Sequence, residues 1–99
     1  MSFEFVKPDS SKVIFKFDGR LDTIKCRELD EKVVEKAKDC KTIVFDLEKV
    51  SYVSSSFLRI CSICAQLANS GGFSFINVSP SIRKVFKISG IDNLIKAEV

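Results

Sequence analysis

The spacing of apolar residues changes period several times along the chain, and each change marks an element. Phe3-Glu4-Phe5 alternates as a short strand does, ended by the turn cluster Lys7-Pro8-Asp9-Ser10. Val13 to Phe17 is a second strand with Val13, Phe15 and Phe17 on one face, and the short link makes the two an antiparallel pair. Asp18-Gly19 breaks that pattern. Thr23 is a candidate N-cap for a helix running to about Lys38, in which Leu29, Val33 and Ala37 form a stripe flanked by Cys26 and Asp30. Thr42 to Leu47, with three consecutive apolar β-formers, predicts a strand covered on both faces. A second helix runs from about Ser55 to Asn69 and stops at Gly71-Gly72. Phe73 to Val78 is the next strand. Ser79-Pro80 then opens a third helix that turns Ile82, Val85, Phe86 and Ile88 to the sheet and ends at Gly90. Leu94-Ile95 fits either a last short strand or a helical turn.

The order β-β-α-β-α-β-α predicts an α/β fold: a small mixed, mainly parallel sheet, antiparallel at its first strand, packed with helices. No repeat or low-complexity linker divides it, so residues 1–99 read as a single domain. With 45% hydrophobic and 29% charged residues the chain is expected to fold rather than remain disordered. No apolar run approaches the ~20 residues that cross a bilayer, and Met1 to Phe5 does not start as a secretory signal does. The expectation is a cytoplasmic protein with no membrane partner.

Candidate chemistry is sparse. The net charge of +3 is spread along the chain, and Arg83, Lys84 and Lys87 read as the solvated face of a helix, so no nucleic-acid partner is expected. Cys61 and Cys64 form a CxxC, but within an apolar helical pattern rather than at a strand-to-helix junction. With no histidine and no paired spacing of Cys26 and Cys40, the four cysteines read as reduced core filler and not as a metal or redox site. Nothing supplies an acid–base or nucleophilic pair or a glycine-rich phosphate loop. No enzyme activity, catalytic residue or cofactor is expected.

The serine run Ser54-Ser55-Ser56 stands at the start of the second helix. Its bland reading is capping and turn formation alone; its functional reading is modification and docking. Along that helix Ser55, Arg59, Ser62, Gln66 and Asn69 occupy a narrow polar strip, while apolar residues spread over roughly 220° at 100° per residue. An apolar stripe is ordinarily narrower. Either neighbouring helices cover this one or part of it, including Phe57 and Ile60, faces a partner, and the second is preferred.

Several blocks, in order, carry a family resemblance. Gly19-Arg20-Leu21-Asp22-Thr23 looks like a G-x-L-D turn, and Phe45 to Arg59 looks like a strand followed by a "D-S-S-G-L" or "S-S-A-G-L-R" helix start. Gly71-Gly72-Phe73 and Ser79 to Ile91 look like a "GG-x" turn and an "SP-x-hydrophobic" final helix. The sequence thus resembles the STAS domain family, best known for bacterial anti-sigma factor antagonists. The resemblance implies partner switching: the antagonist binds a serine kinase that doubles as an anti-sigma factor, phosphorylation ends the association, and a serine phosphatase resets it. It implies phosphorylation at Ser55, with Ser56 as second choice, and docking through this end of the helix by Asp22, Thr23, Ser54, Ser56, Phe57, Leu58 and Ile60. Two positions depart from the family pattern: Ser54 replaces its Asp and Phe57 its Gly. A homodimer is compatible with the sequence. The alternatives are a scaffold that is not phosphorylated and assembles through Phe57 and the apolar helix, or a ligand-sensing domain.

Overall fold

The computed structural model describes residues 3–68 and 72–91. Its elements follow the expected order: β1 (Phe3–Asp9), β2 (Lys12–Leu21), α1 (Thr23–Ala37), β3 (Thr42–Val53), α2 (Ser55–Leu67), β4 (Phe73–Ile76) and α3 (Pro80–Ser89). The strands form one sheet in the order β1-β2-β3-β4. β1 runs antiparallel to β2, and β2–β3 and β3–β4 are parallel.

The strands are longer than the turn signals suggested. β1 runs on through Lys7 and Pro8, because an edge strand tolerates a proline that donates no hydrogen bond, and its pairing shifts register there. The reversal is at Ser10-Ser11, where the Asp9 carboxylate accepts from the Ser11 N–H at 2.8 Å and its hydroxyl at 2.9 Å. β2 continues past Asp18-Gly19: Gly19 takes φ +74° and the ladder shifts register on either side of it, absorbing the glycine as an irregularity.

Strand alternation sends one set of side chains into a single core. Val13, Phe15 and Phe17 of β2, Ile43, Phe45 and Leu47 of β3, and Phe73 and Phe75 of β4 are buried on the same face. Phe45 lies at the centre, its ring centroid 4.9 Å from those of Phe17 and Phe73 and 5.7 Å from those of Phe15 and Phe57. Cys26, Leu29, Val33 and Ala37 of α1, together with the buried face of α2, close over this layer. On α3, the Phe86 ring packs against Phe75 with centroids 4.4 Å apart and planes tilted by 37°. The opposite sheet face carries half-buried Ile14, Val44 and Ile76 and exposed Lys16, and the expected second layer over β3 is not found among the described residues. Asp46, on that face, is buried between strands and accepts from Asn77 Nδ2 at 3.0 Å and from the Glu48 N–H at 3.1 Å.

Helix ends follow local chemistry. Asp22, not Thr23, caps α1, accepting from the Lys25 N–H at 2.9 Å. α2 ends at Leu67, with Ala68 as its cap. Ser79 caps α3 with Pro80 in its first turn, and Gly90 ends it in the left-handed region at φ +80°. Only Ile82 and Phe86 of α3 are buried; Val85 and Ile88 are exposed, because a helix of ten residues lying on a sheet turns inward a stripe narrower than its apolar content. β4 is shorter than expected, since Asn77 adopts φ +57°. Leu94-Ile95 lies outside the described residues.

Gly72 is required by close approach. A Cβ there would fall 1.9 Å from the Lys41 carbonyl oxygen, while the Gly72 carbonyl accepts from the Ile43 N–H at 2.7 Å to start the β3–β4 pairing. Gly72→Ala is therefore expected to lower stability by about 2–3 kcal/mol, at the upper end of overpacking costs, because the obstacle is backbone. Urea unfolding measures this, and an unchanged midpoint would contradict the contact.

Candidate functional site

Parallel pairing of β2 and β3 builds the site. Their last residues, Leu21 and Val53, are partners in the ladder, and each strand passes into a helix after one capping residue. Asp22 caps α1 and Ser54 caps α2, and the Ser54 N–H donates to the Leu21 carbonyl at 3.0 Å. Two helix N-termini thus emerge side by side at the C-terminal end of the two central strands. Each brings unpaired N–H groups and the positive end of a dipole, and neither has an acidic residue in its first turn.

The three serines are differentiated by position. Ser54 is buried and its Oγ accepts from the Phe57 N–H at 3.4 Å, keeping the capping function with Ser in place of Asp. Ser55 is the exposed first residue of α2. Ser56 is half-buried and its hydroxyl donates to Thr23 Oγ1 at 3.4 Å, joining the two helix starts. Asp22 is half-buried and Thr23 exposed, so these polar residues converge.

Phe57 and Ile60 do not belong to this surface. Phe57 is 0% exposed, with its ring 5.3 Å from Phe17 and 5.7 Å from Phe45, and Ile60 is 2% exposed. The preferred reading of α2, with part of its wide apolar arc facing a partner, is corrected: Phe57, Ile60, Cys61, Cys64 and Ala65 are buried within the domain. Leu58 is half-buried and packs against the core. The arc is wide because α2 lies on the sheet and against α1 together.

Three residues that the sequence reading passed over lie at this end. Ile24, in the first turn of α1, is 70% exposed; Tyr52, next to the end of β3, is 41% exposed. The guanidinium of Arg20, the ladder partner of Tyr52, sits 4.4 Å from its ring centroid. A signal was available for Ile24: it falls well off the Leu29-Val33-Ala37 stripe at 100° per residue. Between α1 and α2 a cleft of about 270 Å³ is lined by Thr23, Arg27, Asp30, Ser56 and Arg59 over an apolar floor of Cys26, Ile60 and Ile63.

All four cysteines are buried free thiols. The Cys26 Sγ lies 3.9 Å from Ser54 Oγ and 3.7 Å from the Leu21 carbonyl oxygen that it faces as donor. Burial pushes the Cys64 thiol up to about 12 and the Cys61 thiol well above its ordinary value, with burial also raising Cys26. The CxxC is therefore held protonated and unreactive at neutral pH. Among the described residues no group of three His, Cys, Asp or Glu side chains is placed to hold a metal, and no helix is long and apolar enough to cross a membrane.

Comparison with known proteins agrees with this geometry. The family model for the STAS domain matches residues 3–99. The structure of the anti-sigma factor antagonist SpoIIAA in its unphosphorylated form has a TM-score of 0.83 at 22% identity, covering 98% of this chain and 88% of that one. The phosphorylated form of SpoIIAA from Bacillus gives 0.73 at 22% identity, covering 98% and 91%. An anti-sigma-factor antagonist (STAS) domain protein from Planctomyces limnophilus gives 0.81 at 17% identity, covering 94% and 86%. At such identities these likenesses establish the fold. No curated protein sequence matches.

Proposed function

Because this chain belongs to the STAS domain family, we propose that it is a regulatory protein-binding domain of the anti-sigma factor antagonist kind, switched by phosphorylation of Ser55. Its partners on this reading are a bacterial serine kinase that acts as an anti-sigma factor, and a serine phosphatase, in the cytoplasm. It works by binding, not catalysis.

The observation that carries the reading is the placement of Ser55. It is exposed at the first turn of α2, beside the start of α1, between a buried capping serine and a serine tied to Thr23. A phosphate adds about −1.5 to −2 charges and three acceptor oxygens at that point. The helix N-terminus tolerates the charge, so the domain need not unfold. A partner surface closing over the same point would have to desolvate it, and binding would be lost. The two departures from the family pattern are compatible with this. Ser54 still caps the helix, and the bulk of Phe57 is directed into the core, away from the docking end. That burial removes the basis for permanent assembly through Phe57.

The test is incubation with candidate anti-sigma serine kinases and ATP. Phosphate incorporation that disappears in Ser55→Ala and persists in Ser56→Ala is the expected result. Absence of incorporation, or incorporation indifferent to Ser55→Ala, overturns the reading.

A further inference from the structure

The cleft between α1 and α2 carries two arginines that the fold does not use. Arg27 of α1 and Arg59 of α2 line it together with Thr23 and Ser56, and neither side chain makes an ion pair or hydrogen bond among the described residues. Arg59 follows Ser55 by four residues and Ser56 by three, so it lies above both on the helix surface. Helical side chains lean toward the helix N-terminus, which carries the Arg59 guanidinium back over the first turn. Guanidinium groups are suited to phosphate, because their donors form a planar fork that binds two oxygens at once.

We infer that Arg59, one helical turn beyond Ser55, and Arg27, across the cleft that Ser56 rather than Ser55 lines, receive the phosphate monoester of Ser55 at the mouth of that cleft. The inference rests on the assignment of Ser55 above and adds a second consequence of its modification. The phosphate both obstructs the partner and occupies the two arginines, so the modified end of the domain changes its charge pattern as well as its bulk. Other charged groups at the cleft are few. Asp30 of α1 lines it further along, and the Cys26 thiol is held protonated by burial. Asp22, at the neighbouring cap, is engaged by the Lys25 N–H. The arginines are thus the cations that face an anion at the start of α2.

Biosynthetic incorporation of phosphoserine at position 55 tests the inference without any kinase, so it succeeds or fails independently of the partner-switching reading. The second ionisation of the phosphate, about 6 in an ordinary phosphoserine, is followed by phosphorus NMR against pH. The expected result is a midpoint below that value which rises by about half a pH unit in Arg59→Gln, as loss of a charge-assisted pair requires. Arg27→Gln should raise it less, and Lys84→Gln on α3 not at all. A lowered midpoint that neither arginine substitution moves would assign the effect to the helix N-terminus alone and overturn the inference. A midpoint at the ordinary value in the parent protein overturns it as well.

Discussion

Replacing Phe57 with glycine, the residue that the family pattern carries there, is expected to reduce the unfolding free energy by about 4–6 kcal/mol. Removal of a buried phenylalanine to alanine costs about 3–5 kcal/mol. Glycine within the first turn of a helix adds up to about 1 kcal/mol. The ring occupies space bounded by Phe17 and Phe45, which the opposing strands hold in place, so the cavity has little means of collapsing. A domain of this size has about 5–15 kcal/mol in total, so Phe57→Gly approaches global unfolding. Phe57→Leu, which keeps most of the volume, should cost about 1–2 kcal/mol. Guanidinium unfolding of the two variants checks this. Equal stability of Phe57→Gly and the parent would show that the ring is not in the core.

Ile24→Asp is expected to weaken binding to the serine kinase proposed as the partner by about 30-fold or more, as loss of an interface hot spot worth about 2 kcal/mol does. The same substitution should leave the fold intact. Ile24 is 70% exposed in the first turn of α1, where an acidic residue interacts favourably with the helix dipole. Binding and stability therefore change independently, which core substitutions cannot achieve. Tyr52→Ala should act in the same direction, since a half-exposed tyrosine stacked on an arginine is the kind of side chain that carries interface energy. Titration calorimetry against the kinase, paired with thermal unfolding, reads both quantities. Undiminished affinity in both variants would move the docking surface away from the ends of β2 and β3.

The local chemistry of the chain made much of the fold legible. Alternation of Val13, Phe15 and Phe17, the Leu29-Val33-Ala37 stripe and the Ser79-Pro80 start of α3 each rest on spacing or capping that acts within a few residues. The element order limited the sheet to a mainly parallel one, because parallel neighbours need crossovers. Turn residues were the weaker guide. Pro8 and Gly19 read as breaks, but an edge position and a register shift accommodate them within strands.

At the site, the serine run at the start of α2 was legible because capping and helix entry are encoded locally. What surrounds it was not. Whether Phe57 faces a partner or the core depends on which residues of β2 and β3 lie opposite it, and Phe17 and Phe45 are 40 and 12 positions away in the chain. Likewise Ser56 meets Thr23 across 33 residues, and Arg27 shares a cleft with Arg59, because parallel strands start their two helices from the same end of the sheet. The sequence alone determined the elements, their order and the capped serine run, since those depend on near neighbours. Only the tertiary structure decided that Ser55 is the exposed member of that run, that Phe57 is buried, that Ile24 and Tyr52 are exposed, and that Arg27 and Arg59 share a cleft, since exposure is a property of the assembled surface.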